Sequence, residues 1–110
     1  MRALFRAVLA LVVVAAFWST ASWAADAAAG KAVYAKKCQM CHGAEGQGNP
    51  GMAKVLKVDM KALGSAEVQA KSDADIKKII AEGTGKMKPV AGLAAGDPDN
   101  IVAFVRTLKK

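Results

Sequence analysis

Apolar residues in the last third of the chain recur at helical spacing. Ile76, Ile79 and Ile80 fall at i, i+3 and i+4, with Ser72 placed as N-cap, Asp75 three residues on and Gly83 at the stop. Ile101, Phe104, Val105 and Leu108 form a second stripe. Asp97 is its expected N-cap, Pro98 sits at the first helical position, and Lys109 and Lys110 complement the dipole at the C-terminal end. Near the other end, Gly30, Tyr34 and Cys38 share a face at i, i+4 and i+8, with Val33 beside them. A glycine on that face predicts the close approach of another helix. Between these segments lie Gly43–Gly51, with four glycines and a proline, and the Gly-rich stretch from Gly83 to Gly96, both read as loops. "MAKVLKVDMKALGS" has no clear period and reads as a loop with a short helical turn. No segment makes a convincing strand. The pattern predicts an all-α fold of three main helices and long loops.

The first 24 residues have a different character. Arg2 and Arg6 are followed by the apolar run Ala7–Trp18, then by "STASWA", whose Ser22 and Ala24 suit a cleavage site. This reads as a secretory signal peptide cut after Ala24, leaving a single domain over residues 25–110. The competing reading is an uncleaved anchor, since the uncharged run approaches the ~20 residues that span a bilayer.

Removing the leader changes the composition. Fourteen basic and nine acidic side chains remain, a net charge of +5. Tyr34 and Phe104 are the only aromatics left. A domain of this size with so few large side chains underfills its own core, and small domains of that kind add disulfides, a metal or another large group.

"CQMCH", Cys38 to His42, holds both cysteines of the chain and its one histidine. A redox dithiol of the thioredoxin type needs a βαβ context, which is missing. Structural zinc wants four Cys or His ligands, and three are present. C-x-x-C-H is the spacing of covalent haem attachment: Cys38 and Cys41 placed for thioethers to the vinyl groups, His42 for the iron. A disulfide between the two cysteines is the remaining alternative in an oxidising compartment. Haem would also supply the missing apolar body.

With this motif near the mature N-terminus, a methionine in a Gly/Pro-flanked loop and a terminal helix, the chain resembles the class I cytochrome c family over nearly all of residues 25–110. The resemblance implies a cytochrome c fold wrapped around one covalently bound haem c. It implies a tight crossing of the first and last helices, Gly30 and Tyr34 meeting Ile101 and Phe104. It also implies that a loop proline, here Pro50, accepts a hydrogen bond from the His42 ring.

One histidine excludes bis-histidine ligation, so methionine or lysine completes the iron. Met40 lies within the motif, and Met52 and Met60 read better as flexible apolar filler. Met87 sits beyond a helix, with Gly83 and Gly85 before it and Pro89 after it, and is the expected sixth ligand. The family commonly has proline directly after this methionine; here Lys88 intervenes.

Met/His ligation raises the haem potential and suits one-electron transfer. The reading is therefore a periplasmic electron carrier, a monomer and not an enzyme, serving acidic or membrane-bound redox proteins. Lys36, Lys37, Lys86 and Lys88 are placed to steer such partners. The charge does not indicate nucleic acid, since no binding motif accompanies it. The alternatives are a haem peroxidase and a gas-sensing haem protein with a displaceable sixth ligand. Both need an open or releasable distal site.

Overall fold

Asp26 starts the first helix. Its carboxylate accepts from the Ala28 and Ala29 N–H groups at 2.9 and 3.2 Å, satisfying two donors that have no partner within the helix. Its own N–H donates to Asn100 Oδ1 at 2.8 Å, so the cap also ties this end to the far end of the chain. The computed structural model describes residues 25–110; the expected leader, residues 1–24, lies outside the described residues.

Six helical segments follow one another in this part: α1 (Ala27–Lys37), α2 (Gln39–His42), α3 (Pro50–Leu56), α4 (Ala66–Gln69), α5 (Asp73–Glu82) and α6 (Asp97–Thr107). The three longest, α1, α5 and α6, are the three expected from periodicity. No strand occurs among the described residues; Thr84 and Met87 form one isolated antiparallel bridge.

The fold is organised by the crossing of α1 and α6. A Cβ at Gly30 would overlap the Asn100 carbonyl and lie 2.9 Å from the Ile101 nitrogen. The helix backbones are therefore in contact, as the sequence led us to expect, and no side chain fits between them. One turn on, the Tyr34 and Phe104 rings pack at 4.9 Å with a 57° tilt, a geometry worth about 0.5–1.5 kcal/mol beyond area burial. Ile76 and Ile80 of α5 join Ile101, Val102 and Val105 of α6 in the core, with Val33, Leu63, Val90 and Leu93 at its margin.

Helix boundaries differ from expectation in two places. Asp97 is the first residue of α6 and Gly96 the N-cap, because the Asp97 carboxylate turns back to accept from the Ala94 N–H at 2.8 Å. The aperiodic stretch after Gly51 holds more helix than one turn. α3 is capped by the Asn49 side chain and ended by Lys57 in the left-handed conformation (φ 55°), and α4 is capped by Ser65. These helices bury no side chain. Met52, Val55 and Leu56 stand at helical spacing in α3, but none of them is buried, so the caps rather than a packed stripe define these helices.

Candidate haem-binding site

The attachment turn grows directly out of α1. Cys38 is the C-cap of α1, its N–H donating to the Tyr34 carbonyl at 2.9 Å. The Cys38 carbonyl then accepts from Cys41 N–H at 3.3 Å and His42 N–H at 3.0 Å. That single turn places Cys41 at i+3 and His42 at i+4 from Cys38, so all three side chains share one side. Met40 faces away and is 76% exposed.

A helix of four residues leaves all its carbonyls to be satisfied from outside. Here each one is. Gln39 accepts from Gly43 N–H (2.8 Å), Cys41 from Asn49 N–H (2.9 Å) and His42 from Gly48 N–H (2.6 Å). Met40 accepts from the Asn49 Nδ2 group at 2.9 Å. The Asn49 Oδ1 atom meanwhile caps α3 through the Gly51 and Met52 N–H groups at 3.0 and 3.4 Å. One asparagine thus ends α2 and begins α3. Sequence reasoning passed over it, although Asn before Pro at a helix start was the available signal.

The His42 imidazole is partly buried, and burial pushes its pKa down, so it is held neutral as a metal ligand must be. Its Nδ1 atom is buried with no hydrogen-bond partner. The expected acceptance by the Pro50 carbonyl is not made. Pro50 opens α3, where a carbonyl is directed into its own helix. Cys38 and Cys41 are not bonded to one another. Burial, and then the neighbouring Cys41, push the Cys38 thiol up, so it stays protonated.

Met87 stands on a separate element. Its N–H donates to the Thr84 carbonyl at 2.9 Å, and the Thr84 N–H donates back to the Met87 carbonyl at 3.0 Å. Gly83 makes this tight reversal possible. Its φ is +75°, and a Cβ there would overlap the Met87 carbonyl and crowd the Pro89 nitrogen at 2.9 Å. Val90 N–H then returns to the Ile80 carbonyl at 2.9 Å. The methionine is therefore fixed by backbone bonds on both sides, and Lys88 before the proline does not loosen it. Lys86 and Lys88 are exposed while Met87 is half-buried between them. Further along, Gly92 passes close to the Lys37 ammonium, so the loop that carries Met87 runs back past the end of α1.

These residues fit a c-type haem. Two unpaired thiols and a neutral, partly buried imidazole with an orphaned nitrogen share one turn. The elements around them, α2, α3 and α4, bury no side chain of their own. Met60 lines a cleft of about 160 Å³ with Gly48, Pro50 and Val58. Among the described residues no group of three His, Cys, Asp or Glu side chains gathers as a metal cluster.

Known proteins point the same way. A family model described as cytochrome c oxidase, cbb3-type, subunit III matches residues 25–105. The chain belongs to the cytochrome c family. It is 37% identical over 92 residues to cytochrome c-554(547) of Halothiobacillus neapolitanus, covering 78% of this chain and 100% of that one. Among solved structures it is similar to the KustC0563 c-type cytochrome, with a TM-score of 0.63 and 32% identity over 74% of this chain and 98% of that chain. As a c-type cytochrome it carries covalently bound haem c and serves haem-based electron transfer rather than catalysis. No helix of the described residues is long and apolar enough to cross a membrane.

Proposed function

We propose that the chain is a periplasmic one-electron carrier with a single haem, attached through Cys38 and Cys41 and ligated by His42 and Met87. The haem iron supplies the chemistry, a reversible change between ferrous and ferric states. The protein supplies ligands that do not change place as the electron comes and goes. The observation that carries this reading is the doubly hydrogen-bonded Thr84–Met87 turn, which presents one thioether on a fixed backbone between two exposed lysines. A methionine held so firmly suits a permanent ligand better than a displaceable one, which favours a carrier over a gas sensor or a peroxidase. The leader expected over residues 1–24 supports export of the mature chain. Its excess of lysine fits an acidic redox partner.

The first test is optical. The exported protein is extracted with acid acetone, and spectra of the native holoprotein are taken oxidised and reduced. Haem colour that stays with the polypeptide, together with the weak long-wavelength band of methionine–iron ligation, is the expected result. Retained colour with a high-spin oxidised spectrum sinks the Met87 ligand and favours a catalytic or sensing haem. Colour lost to the solvent sinks the thioether assignment.

A further inference from the structure

Arg106 is the one arginine of residues 25–110 and lies on the last turn of α6, 64 positions from His42. Its side chain is 31% exposed, and its whole fork is engaged. Nε and Nη2 donate to Asp73 Oδ1 at 3.1 and 2.7 Å, and Nη2 also to the Lys71 carbonyl at 2.7 Å. Nη1 donates to the Gln69 carbonyl at 2.9 Å and to Gln69 Oε1 at 3.4 Å. A surface ion pair by itself contributes little. Here most of the bonds go instead to the strap formed by α4 and the residues after it.

What the strap does next is specific. With its carbonyl and Oε1 both held, the Gln69 amide donates through Nε2 to the Leu63 carbonyl at 2.9 Å and the Val105 carbonyl at 3.0 Å. The Leu63 N–H donates to the Gly46 carbonyl at 2.8 Å. Gly46 N–H donates to the Gly43 carbonyl at 3.2 Å, which also accepts from the Tyr34 hydroxyl at 2.5 Å. Two residues on, Gly48 N–H closes the His42 carbonyl. The loop that ends the attachment turn is thus held from one side by Tyr34 and from the other by a relay that begins at Arg106.

We infer that Arg106 is a positioning residue for the haem ligand, fixing the Gly43–Gly48 loop behind His42 through Gln69 and Leu63. The inference rests on His42 being the proximal ligand. Arginine suits the task because a planar fork serves three acceptor residues at once, whereas a lysine ammonium on a flexible stem holds them loosely.

The test uses the oxidised holoprotein by proton NMR, with Arg106→Ala, Arg106→Lys, Gln69→Ala and the Arg106→Ala/Gln69→Ala double variant. The haem methyl shifts report the orientation of the imidazole plane, and amide exchange reports the loop. In Arg106→Ala and Gln69→Ala, the Leu63 and Gly46 amides exchange at least about tenfold faster, Val33 in α1 keeps its protection, and both variants displace the methyl shifts alike. The double variant adds nothing further, as expected for one relay, and Arg106→Lys falls between Arg106→Ala and the wild type. Unchanged methyl shifts overturn the inference, and so does a uniform loss of protection over every helix, which would mean that Arg106 merely stabilises α6. A wild-type spectrum without histidine-ligated low-spin iron would instead overturn the assignment of His42, before any variant is compared.

Discussion

Met87 and Tyr34 show how much single side chains govern here. Replacing Met87 with leucine keeps the volume and the Thr84–Met87 backbone bonds but removes the thioether. The methionine–iron band should vanish and the reduction potential should fall by on the order of 0.1 V, a modest part of the ~0.8 V that axial ligands control; redox titration of the purified holoprotein measures it. An unchanged potential would exclude Met87 as ligand. Tyr34 is almost fully buried, and its hydroxyl donates to the Gly43 carbonyl. Burial above all pushes its phenol up from the ordinary 10.0, to about 12 where Cys38 is a free thiol that can ionise and less far where Cys38 is a thioether. The unfolded phenol therefore ionises first, and stability is lost as the pH climbs from about 10 through the raised folded value. Tyr34→Phe removes this contribution. It should cost about 0.5–1.5 kcal/mol at neutral pH through the lost hydrogen bond, yet flatten the alkaline decline. Guanidinium unfolding at neutral pH and at points up to pH 12 separates the two effects.

At the scale of elements, the α1/α6 crossing and the α2–α3 junction are held in different ways. Gly30→Ala forces a methyl into the Asn100 carbonyl, so the two backbones must part where the Asp26–Asn100 bond ties the same helices together. A loss of about 1–3 kcal/mol in denaturant unfolding is expected, the usual cost of overpacking. Periodicity made the two faces legible, Gly30 with Tyr34 and Ile101 with Phe104, and the glycine announced the close approach of some helix. Which helix it meets came from the family resemblance, since spacing within one segment says nothing of its partner. Periodicity also made α5 legible, whose Ser72 cap and isoleucine stripe stand as expected. The α2–α3 junction was not legible. It depends on one asparagine whose amide nitrogen and oxygen serve different helices, and no hydrophobic period announces that. Asn49→Ala should cost about 1–2 kcal/mol through both lost roles. Asn49→Ser, which keeps an oxygen able to cap α3 but has no amide to reach the Met40 carbonyl, should cost less. Equal losses in the two variants would show that the Met40 bond, not the cap, holds the junction. The Pro50 expectation failed for a related reason, since a residue-type rule cannot see that the proline has been taken into the first turn of a helix.

For the molecule as a whole, the distribution of charge decides what it can meet. Lys36 and Lys37 end α1 just before the attachment turn, and Lys86 and Lys88 flank Met87. All four are exposed, and none forms an ion pair among the described residues, where pairs are made by Lys61, Lys77 and Arg106. The Gly92–Lys37 approach brings the two lysine groups toward the same end of the fold. If this end meets an acidic redox protein, reversing charge there must matter more than reversing it elsewhere. Lys86→Glu with Lys88→Glu changes the net charge by the same amount as Lys109→Glu with Lys110→Glu, beyond the end of α6. Stopped-flow electron transfer to an acidic partner should slow about three- to tenfold in the first pair at low ionic strength. The second pair should change little, and the difference should fade near ~1 M salt, where screening reaches ~3 Å. Equal slowing in both pairs would mean that the partner senses total charge alone, and the lysines around Met87 would then be ordinary solvated surface.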